Sequence, residues 1–217
     1  MSPDALIFDL DGTLWDAAAA STYGWNLALE EMGIPLRVSV EGIRSVSGLP
    51  FARCVEILLP ELCPVPEAAA RSLEAGERVG IEALGGALYE GVADGLRRLA
   101  SGYPLFLVSN CPEWYLQAFL DVSALRECFT GWDCHGSSGV DKARMLLDLR
   151  GRHDLVRPVY VGDIQGDREA AEEAGMEFAF VTYGFGETDA PSLSFDSFGE
   201  LAEHFAGCEA GSRRSGR

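Results

Sequence analysis

Four short apolar runs along the chain have the pattern of buried parallel strands, because their residues are apolar on both faces instead of alternating with polar ones. They occupy residues 5–9, 104–109, 158–163 and 178–182. Helical patterns lie between and after them, at residues 91–101, 112–121, 141–150 and 167–174. Strands that alternate with helices predict an α/β fold with a doubly wound parallel sheet, that is, a Rossmann-like core.

The segment from residue 17 to 88 interrupts this alternation, since it contains several helical stretches and no convincing buried strand. The helical stretches are residues 22–32, 50–59 and 66–84. We therefore predict an all-helical insert after the first strand, with residues 1–16 and 89–206 forming the α/β core. The tail from 207 to 217 is small and polar, and we expect it to be disordered.

The net charge excludes several kinds of partner, and the cysteine pattern indicates the cellular compartment. The 217 residues include 17 Lys or Arg and 34 Asp or Glu, which gives a net charge of −17. Such a surface repels DNA, RNA and anionic membranes, so we expect neither a nucleic-acid nor a membrane partner. We also expect no signal peptide, and the six scattered cysteines show no C-x-x-C pair. These features favour a cytoplasmic protein with reduced thiols.

Polar side chains with the chemistry for phosphate binding lie next to the predicted strands. They are Asp9, Asp11 and Thr13 after the first strand, Ser109 and Asn110 at the end of the second, Lys142 before the third, and Asp163 and Asp167 after the third. In an open α/β sheet, ligands bind beyond the carboxyl ends of the strands, so we expect these side chains to converge there.

The spacing of Asp9 and Asp11 suits such a site, since residues i and i+2 point to the same side of an extended chain. Gly12 allows the backbone to turn and to present N–H groups to an anion. Aspartates in a group repel one another unless a cation lies among them, and hard oxygen ligands favour Mg²⁺.

Each of these residues also has an interpretation that involves no catalytic or binding function. The Asp-Gly turn would be solvated, Ser109 or Asn110 would cap a helix, and Lys142 would face solvent.

Four motifs, in this order, resemble the signature motifs of the haloacid dehalogenase-like hydrolases. They are DLDGTLWD at 9–16, LFLVSN at 105–110, DKARML at 141–146 and YVGDIQGD at 160–167. The resemblance covers residues 5–186 and implies that the helical insert is a small cap over the core. YEGVADGLRRL and VTYGFG further resemble the phosphoglycolate phosphatase-like branch of the family.

This resemblance implies a Mg²⁺-dependent phosphatase that hydrolyses a small phosphorylated metabolite through an aspartyl-phosphate. Asp9 would be the nucleophile, which as an ionised carboxylate needs no activation at neutral pH. Asp11 would be the general acid and base, and we predict a raised pKa for it because of the neighbouring carboxylates. The implied phosphate ligands are Thr13, Ser109, Asn110 and Lys142. The implied Mg²⁺ ligands are Asp9, the backbone carbonyl of Asp11, Asp163 and, directly or through water, Asp167.

Candidates for substrate contacts in the cap region are less clearly marked. Arg44 would read a substrate carboxylate such as that of phosphoglycolate, and Trp15 would face the site from the hinge; a surface loop and a packing anchor are the alternatives. Two other functions stay open, a sugar phosphomutase of the same fold and a catalytically silent binding protein. Asp11 argues against a dehalogenase, and the lack of lysine in residues 17–88 argues against a phosphonate-cleaving enzyme. The chain is expected to be a monomer or a homodimer.

Overall fold

The structure, a computed structural model, describes residues 2–189 and 191–214, with side chains described as far as residue 207. The strands are β1 (Ala5–Phe8), β2 (Trp15–Asp16), β3 (Ala87–Leu88), β4 (Leu105–Ser109), β5 (Gly131–Cys134), β6 (Pro158–Gly162), β7 (Glu177–Val181) and β8 (Leu193–Phe195). The helices are α1 (Ala18–Glu31), α2 (Val40–Val46), α3 (Phe51–Leu58), α4 (Glu67–Leu84), α5 (Val92–Ala100), α6 (Glu113–Ser123), α7 (His135–Ser138), α8 (Lys142–Arg152), α9 (Gln165–Glu173) and α10 (Phe198–Arg214).

Six of these strands form one parallel sheet in the order β5-β4-β1-β6-β7-β8. The chain fills one side of β1 with β4 and β5 and then crosses to the other side for β6, β7 and β8. This is the doubly wound, Rossmann-like arrangement that the sequence predicts. The order reverses between β4 and β6, on either side of β1, which is where ligands bind in such sheets.

Apolar residues cover both faces of this sheet. In β1, Leu6 and Phe8 pack into one core cluster, whereas Ala5 and Ile7 pack into another. All four side chains are buried. The continuous apolar runs of the sequence therefore reflect helices on both sides of the sheet.

The helices α1 to α4 form the insert, and we call residues 17–88 the cap segment. Its main contact, between α1 and α4, is unusually close. A Cβ atom added to Gly24 would lie 2.1 Å from the carbonyl oxygen of Gly76, and one added to Gly80 would lie 2.1 Å from that of Ala20. Glycine therefore lets the two backbones touch. The predicted helices match α1, α3 and α4, but the sequence analysis did not predict α2.

The chain enters and leaves the cap segment through two paired strands. Trp15 of β2 pairs with Leu88 of β3, and Asp16 pairs with Ala87, in an antiparallel ladder. Both crossings between cap segment and core thus run side by side.

Several elements were not predicted, and most lie at the edges of the core. β5 and β8 are the outer strands of the sheet, and β5 is only partly buried. The last helix, α10, is anchored by buried Phe198, Leu201 and Phe205. It continues to Arg214, and the disorder expected from residue 207 stays a prediction. Residues 215–217 of that tail lie outside the described residues.

None of the described helices combines the length and the apolar character needed to span a bilayer.

Candidate active site

The predicted site residues gather beyond the carboxyl ends of β1, β4 and β6. Asp9 follows β1, Ser109 ends β4 and Asp163 follows β6. These three side chains are buried, as are those of Lys142 and Asp167. Buried carboxylates and a buried ammonium group need partners, because their removal from water is costly.

Three carboxylates form a compact group, which we call the acidic triad: Asp9, Asp163 and Asp167. One oxygen of each lies within 4.8 Å of the others. Asp163 accepts hydrogen bonds from the Thr13 hydroxyl at 3.1 Å and from the Phe185 N–H at 2.8 Å. Asp167 accepts two backbone N–H groups, those of Asp163 at 3.0 Å and Ile164 at 3.2 Å.

Asp9 differs from the other two members. Both of its oxygens are buried, and neither accepts a hydrogen bond from the residues that the structure describes. The Nζ atom of Lys142 forms an ion pair of 3.1 Å with Asp9 Oδ1, and it donates a hydrogen bond of 2.5 Å to Asp167 Oδ1. Asp9 therefore keeps lone pairs that a cation or an electrophile can use. This donor set of hard, anionic oxygens fits Mg²⁺.

The pKa values show the same excess of negative charge. Burial raises the pKa of Asp9 well above its usual range, Asp167 adds to the rise, and Lys142 opposes it. Burial and Asp167 together raise the pKa of Asp163 to about 7. Burial acts to lower the pKa of Lys142, but Asp167 and Asp9 outweigh that effect and raise it. A single ammonium group thus faces three carboxylates, and a divalent cation would restore the balance.

Asp11 has a separate environment. The Tyr115 hydroxyl donates a hydrogen bond of 2.6 Å to Asp11 Oδ1. Burial raises the pKa of Asp11 to about 6, although the Tyr115 hydrogen bond acts in the opposite direction. The sequence analysis predicts this rise but attributes it to the neighbouring carboxylates, whereas the main cause is burial.

Gly12 brings the loop after β1 against the acidic triad. Its φ is +80°, and an added Cβ atom would lie 2.0 Å from Asp163 Oδ2. Gly33 provides a matched comparison, since its φ is +69° but no atom lies within 4 Å of an added Cβ.

We expect Gly12→Ala to lower the midpoint of thermal unfolding much more than Gly33→Ala. Alanine in this backbone region costs about 1 kcal/mol, or roughly 3 °C for a chain of this size. Gly12→Ala must also displace Asp163, so its loss should be at least about twice as large. Thermal unfolding followed by circular dichroism measures both variants. Equal losses would show that Gly12 is needed for its φ angle alone.

Ser109 and Asn110 take different positions at the end of β4. The Ser109 oxygen accepts a weak hydrogen bond from the Cys111 N–H at 3.3 Å, which leaves its hydroxyl proton free to donate. The Asn110 side chain donates a 2.8 Å hydrogen bond to the carbonyl oxygen of Gly48 in the cap segment. Asn110 therefore ties the core to the cap segment, and its assignment as a phosphate ligand stays a prediction.

Arg44 and Trp15 lie beside the site, and their assignment as substrate contacts stays a prediction. Arg44 forms an ion pair of 2.6 Å with Asp16 and lies over the Phe185 ring. Trp15 is buried edge-on against the ring of Tyr115, at a centroid distance of 5.5 Å. Arg44 is thus engaged near the hinge, and Trp15 has the position of a packing anchor.

A cavity of about 60 Å³ lies between the cap segment and the core. We call it the cap cavity. Asp11, Ser109 and Asn110 contribute to its core side, and most of its cap side is apolar. The apolar lining of the cap side includes Ala18, Trp25, Ile43, Val46, Leu49 and Phe51.

Glu77 of α4 is the functional candidate that sequence reasoning missed. It lines the cap cavity and is only 8% exposed. A signal was present, because the buried positions Leu73, Gly76, Gly80 and Ile81 of the same helix have helical spacing and Glu77 falls among them. A carboxylate on the buried face of a helix is an exception that calls for a partner.

Comparisons with known proteins agree with the geometry. The model of the haloacid dehalogenase-like hydrolase family matches residues 3–175. The chain is 32% identical over 200 residues to a phosphoglycolate phosphatase of Rhodobacter capsulatus, covering 89% of this chain and 90% of the relative. It is 31% identical over 195 residues to a phosphoglycolate phosphatase of Aliivibrio fischeri, covering 83% of this chain and 84% of the relative.

Solved structures show the same fold. The crystal structure of a predicted phosphoglycolate phosphatase from Haemophilus somnus superposes with a TM-score of 0.80. The comparison covers 94% of this chain and 98% of the other, at 23% identity. At that level of identity, the match establishes a common architecture.

Proposed function

The chain belongs to the haloacid dehalogenase-like hydrolases and is a phosphoric monoester hydrolase, and from this premise we propose that it hydrolyses a small phosphorylated metabolite through an aspartyl-phosphate, with Mg²⁺ as cofactor. The observation that carries this proposal is the state of Asp9. Its buried carboxylate lies at the switch point of the sheet, where its partner among the described residues is the ammonium group of Lys142, 3.1 Å from Oδ1, so its second oxygen stays without a donor. Such a group is free to act as a nucleophile.

We assign the first step to Asp9. One of its oxygens attacks phosphorus while the bond from phosphorus to the leaving alcohol oxygen breaks. Lys142 and the free hydroxyl proton of Ser109 are placed to hold oxygens of the transferring phosphoryl group. Stabilising the charge on those oxygens is the main requirement of phosphoryl transfer.

We assign the proton transfers to Asp11. The leaving alcohol needs a proton, and a pKa of about 6 allows Asp11 to hold one close to neutral pH. The same carboxylate can then remove a proton from the water that hydrolyses the aspartyl-phosphate. Asp11 is a poorer nucleophile than Asp9, because Tyr115 already binds one of its oxygens.

The acidic triad fits the proposed cofactor. Asp9 and Asp163 would bind Mg²⁺ together with the backbone carbonyl of Asp11. Asp167 already accepts Lys142 and two N–H groups, so we assign it an additional or water-mediated contact. The ion would supply positive charge next to the phosphoryl oxygens. Thr13 would act indirectly, since its hydroxyl orients Asp163.

We expect phosphate release to depend on Mg²⁺ and on Asp163. Chelation with EDTA should lower the rate by at least about 100-fold, because the loss of one positioned electrostatic contact alone costs that much. Addition of Mg²⁺ should restore the rate. The measurement is phosphate release from a panel of phosphoglycolate, sugar phosphates and nucleoside monophosphates. Full activity in EDTA would contradict the role of the acidic triad.

Two variants sharpen this test. Asp163→Asn should raise the Mg²⁺ concentration needed for half-maximal release by about 10-fold or more. Asp148→Asn is the matched control, since Asp148 is a half-exposed carboxylate on α8, paired with Arg144, and should leave that concentration unchanged. Isomerisation of a sugar phosphate without phosphate release would instead favour the phosphomutase.

We also propose that the enzyme works in the cytoplasm on a small-molecule partner. Supporting this are the free thiols of the described cysteines, which suit a reducing compartment: Cys54, Cys63, Cys111, Cys128 and Cys134.

A further inference from the structure

The cap cavity defines where the non-phosphate part of the substrate would lie. Ser109, which holds the phosphoryl group in the proposed function, and Asp11, which protonates the leaving oxygen, both line it. The leaving alcohol must therefore extend from the phosphorus into this cavity. Its volume of about 60 Å³ holds on the order of four water molecules. A small alcohol fits there.

The ionisable side chains that line the cap cavity are acidic. Its described lining includes two carboxylates, Asp11 and Glu77, and no lysine, arginine or histidine. Arg44 is held by Asp16 and is not part of that lining. A carboxylate on the leaving alcohol would lose its water without gaining a cationic partner and would lie near Glu77. The cap cavity therefore disfavours phosphoglycolate.

Glu77 lacks a cationic partner of its own. The ion pairs of the described residues do not include it, and its side chain is almost fully buried against α1. Burial raises its pKa to about 7, although a hydrogen bond with Ser21 acts in the opposite direction. A positively charged group in the cavity would supply the missing partner and favour the ionised carboxylate.

Two aromatic side chains of the cap cavity also favour a positively charged ligand. Trp25 and Phe51 both line it, and their rings pack edge to face at a centroid distance of 5.5 Å. The faces of aromatic rings stabilise ammonium groups through cation–π contacts.

We propose that the enzyme prefers phosphomonoesters of small amino alcohols, and that Glu77 determines this specificity by binding the ammonium group of the leaving alcohol. This inference rests on the proposed phosphatase function and narrows it to one substrate class. It separates this chain from relatives that are named for phosphoglycolate.

Three phosphomonoesters of nearly equal size test this specificity. They are O-phosphoethanolamine with an ammonium group, propyl phosphate with a methyl group, and phosphoglycolate with a carboxylate. With Mg²⁺ present, kcat/KM should be highest for O-phosphoethanolamine, by at least about 10-fold over propyl phosphate, and lowest for phosphoglycolate.

Glu77→Gln keeps the shape of the side chain and removes its charge. It should reduce the preference for O-phosphoethanolamine over propyl phosphate to about 2-fold or less, mainly through KM, while kcat/KM for propyl phosphate stays within about 3-fold of its original value. Glu82→Gln is the control on the same helix, because Glu82 is exposed, and it should change neither value. A purely structural role of Glu77 would lower all three rates together.

The outcomes separate this inference from the proposed function. A wild-type preference for phosphoglycolate, or a preference for O-phosphoethanolamine that Glu77→Gln leaves intact, overturns the inference and leaves the phosphatase function standing. Release from none of the three compounds or of the wider panel, by folded protein with Mg²⁺, overturns both. If Glu77→Gln does not fold, the ranking of the three compounds by the wild-type enzyme decides.

Discussion

Replacing Asp9 with asparagine is expected to lower the rate of phosphate release by at least about 10⁴-fold, as removal of a catalytic nucleophile does in other enzymes. Asparagine has nearly the same shape, but its amide is a far weaker nucleophile and cannot form the aspartyl-phosphate. The rate should be measured under single-turnover conditions with the best substrate of the panel. A variant that keeps more than about a hundredth of the wild-type rate would show that another group attacks phosphorus.

The same variant should be at least as stable as the wild type in the absence of Mg²⁺. Asp9→Asn removes one member of the acidic triad, and burial and the neighbouring Asp167 make its charged form unfavourable. Thermal unfolding should therefore show an unchanged or higher midpoint, which also establishes that the loss of activity is not a loss of folding. Asp148→Asn serves as the control for a carboxylate on the surface.

Lys142→Met should have the largest effect on stability. Lys142 is buried and is the ammonium group that contacts both Asp9 and Asp167. Removal of one partner from a buried ion pair leaves an uncompensated charge and costs about 3–5 kcal/mol. The rate should also fall by about 10²–10³-fold, because the phosphoryl oxygens lose a cationic contact. Denaturant unfolding without Mg²⁺ measures the first effect.

Two comparisons isolate the electrostatic cause of that loss. Arg144→Met removes an exposed ion pair with Asp148 from the same helix and should cost less than about 1 kcal/mol. In the Asp9→Asn/Lys142→Met double variant, the acidic triad has one carboxylate fewer, so the loss should be smaller than for Lys142→Met alone. Equal losses in the single and double variants would mean that Lys142 stabilises the fold by packing.

The central strands were predictable because a strand covered by helices on both faces must be apolar throughout. β1, β4, β6 and β7 satisfy that condition, and the polar residues that follow them mark the carboxyl edge of the sheet. β5 and β8 did not stand out, because an outer strand is short or partly exposed and reads like a loop. The helices of the cap segment were readable from their periodicity, except for the seven residues of α2.

Some residues of the candidate site could likewise be predicted from the sequence, and others could not. Asp9, Lys142 and Asp163 could be assigned because short motifs fix them at the ends of β1 and β6 and at the start of α8. The role of Asn110 could not be foreseen, since its hydrogen bond to Gly48 links residues 62 positions apart. Glu77 could have been suspected from the periodicity of α4, but its exposure to the cap cavity depends on how α1 and α4 pack.

The paired strands β2 and β3 have a consequence for how such enzymes diversify. They bring the two ends of a long insertion to neighbouring positions of one ladder. Another insertion of different length could close on the same pair without disturbing the sheet or the acidic triad. Replacement of one contiguous stretch of the gene, Glu77 included, would then give an old reaction a new substrate. In this architecture, a new substrate specificity can arise by exchange of the cap segment while the catalytic residues of the core stay the same.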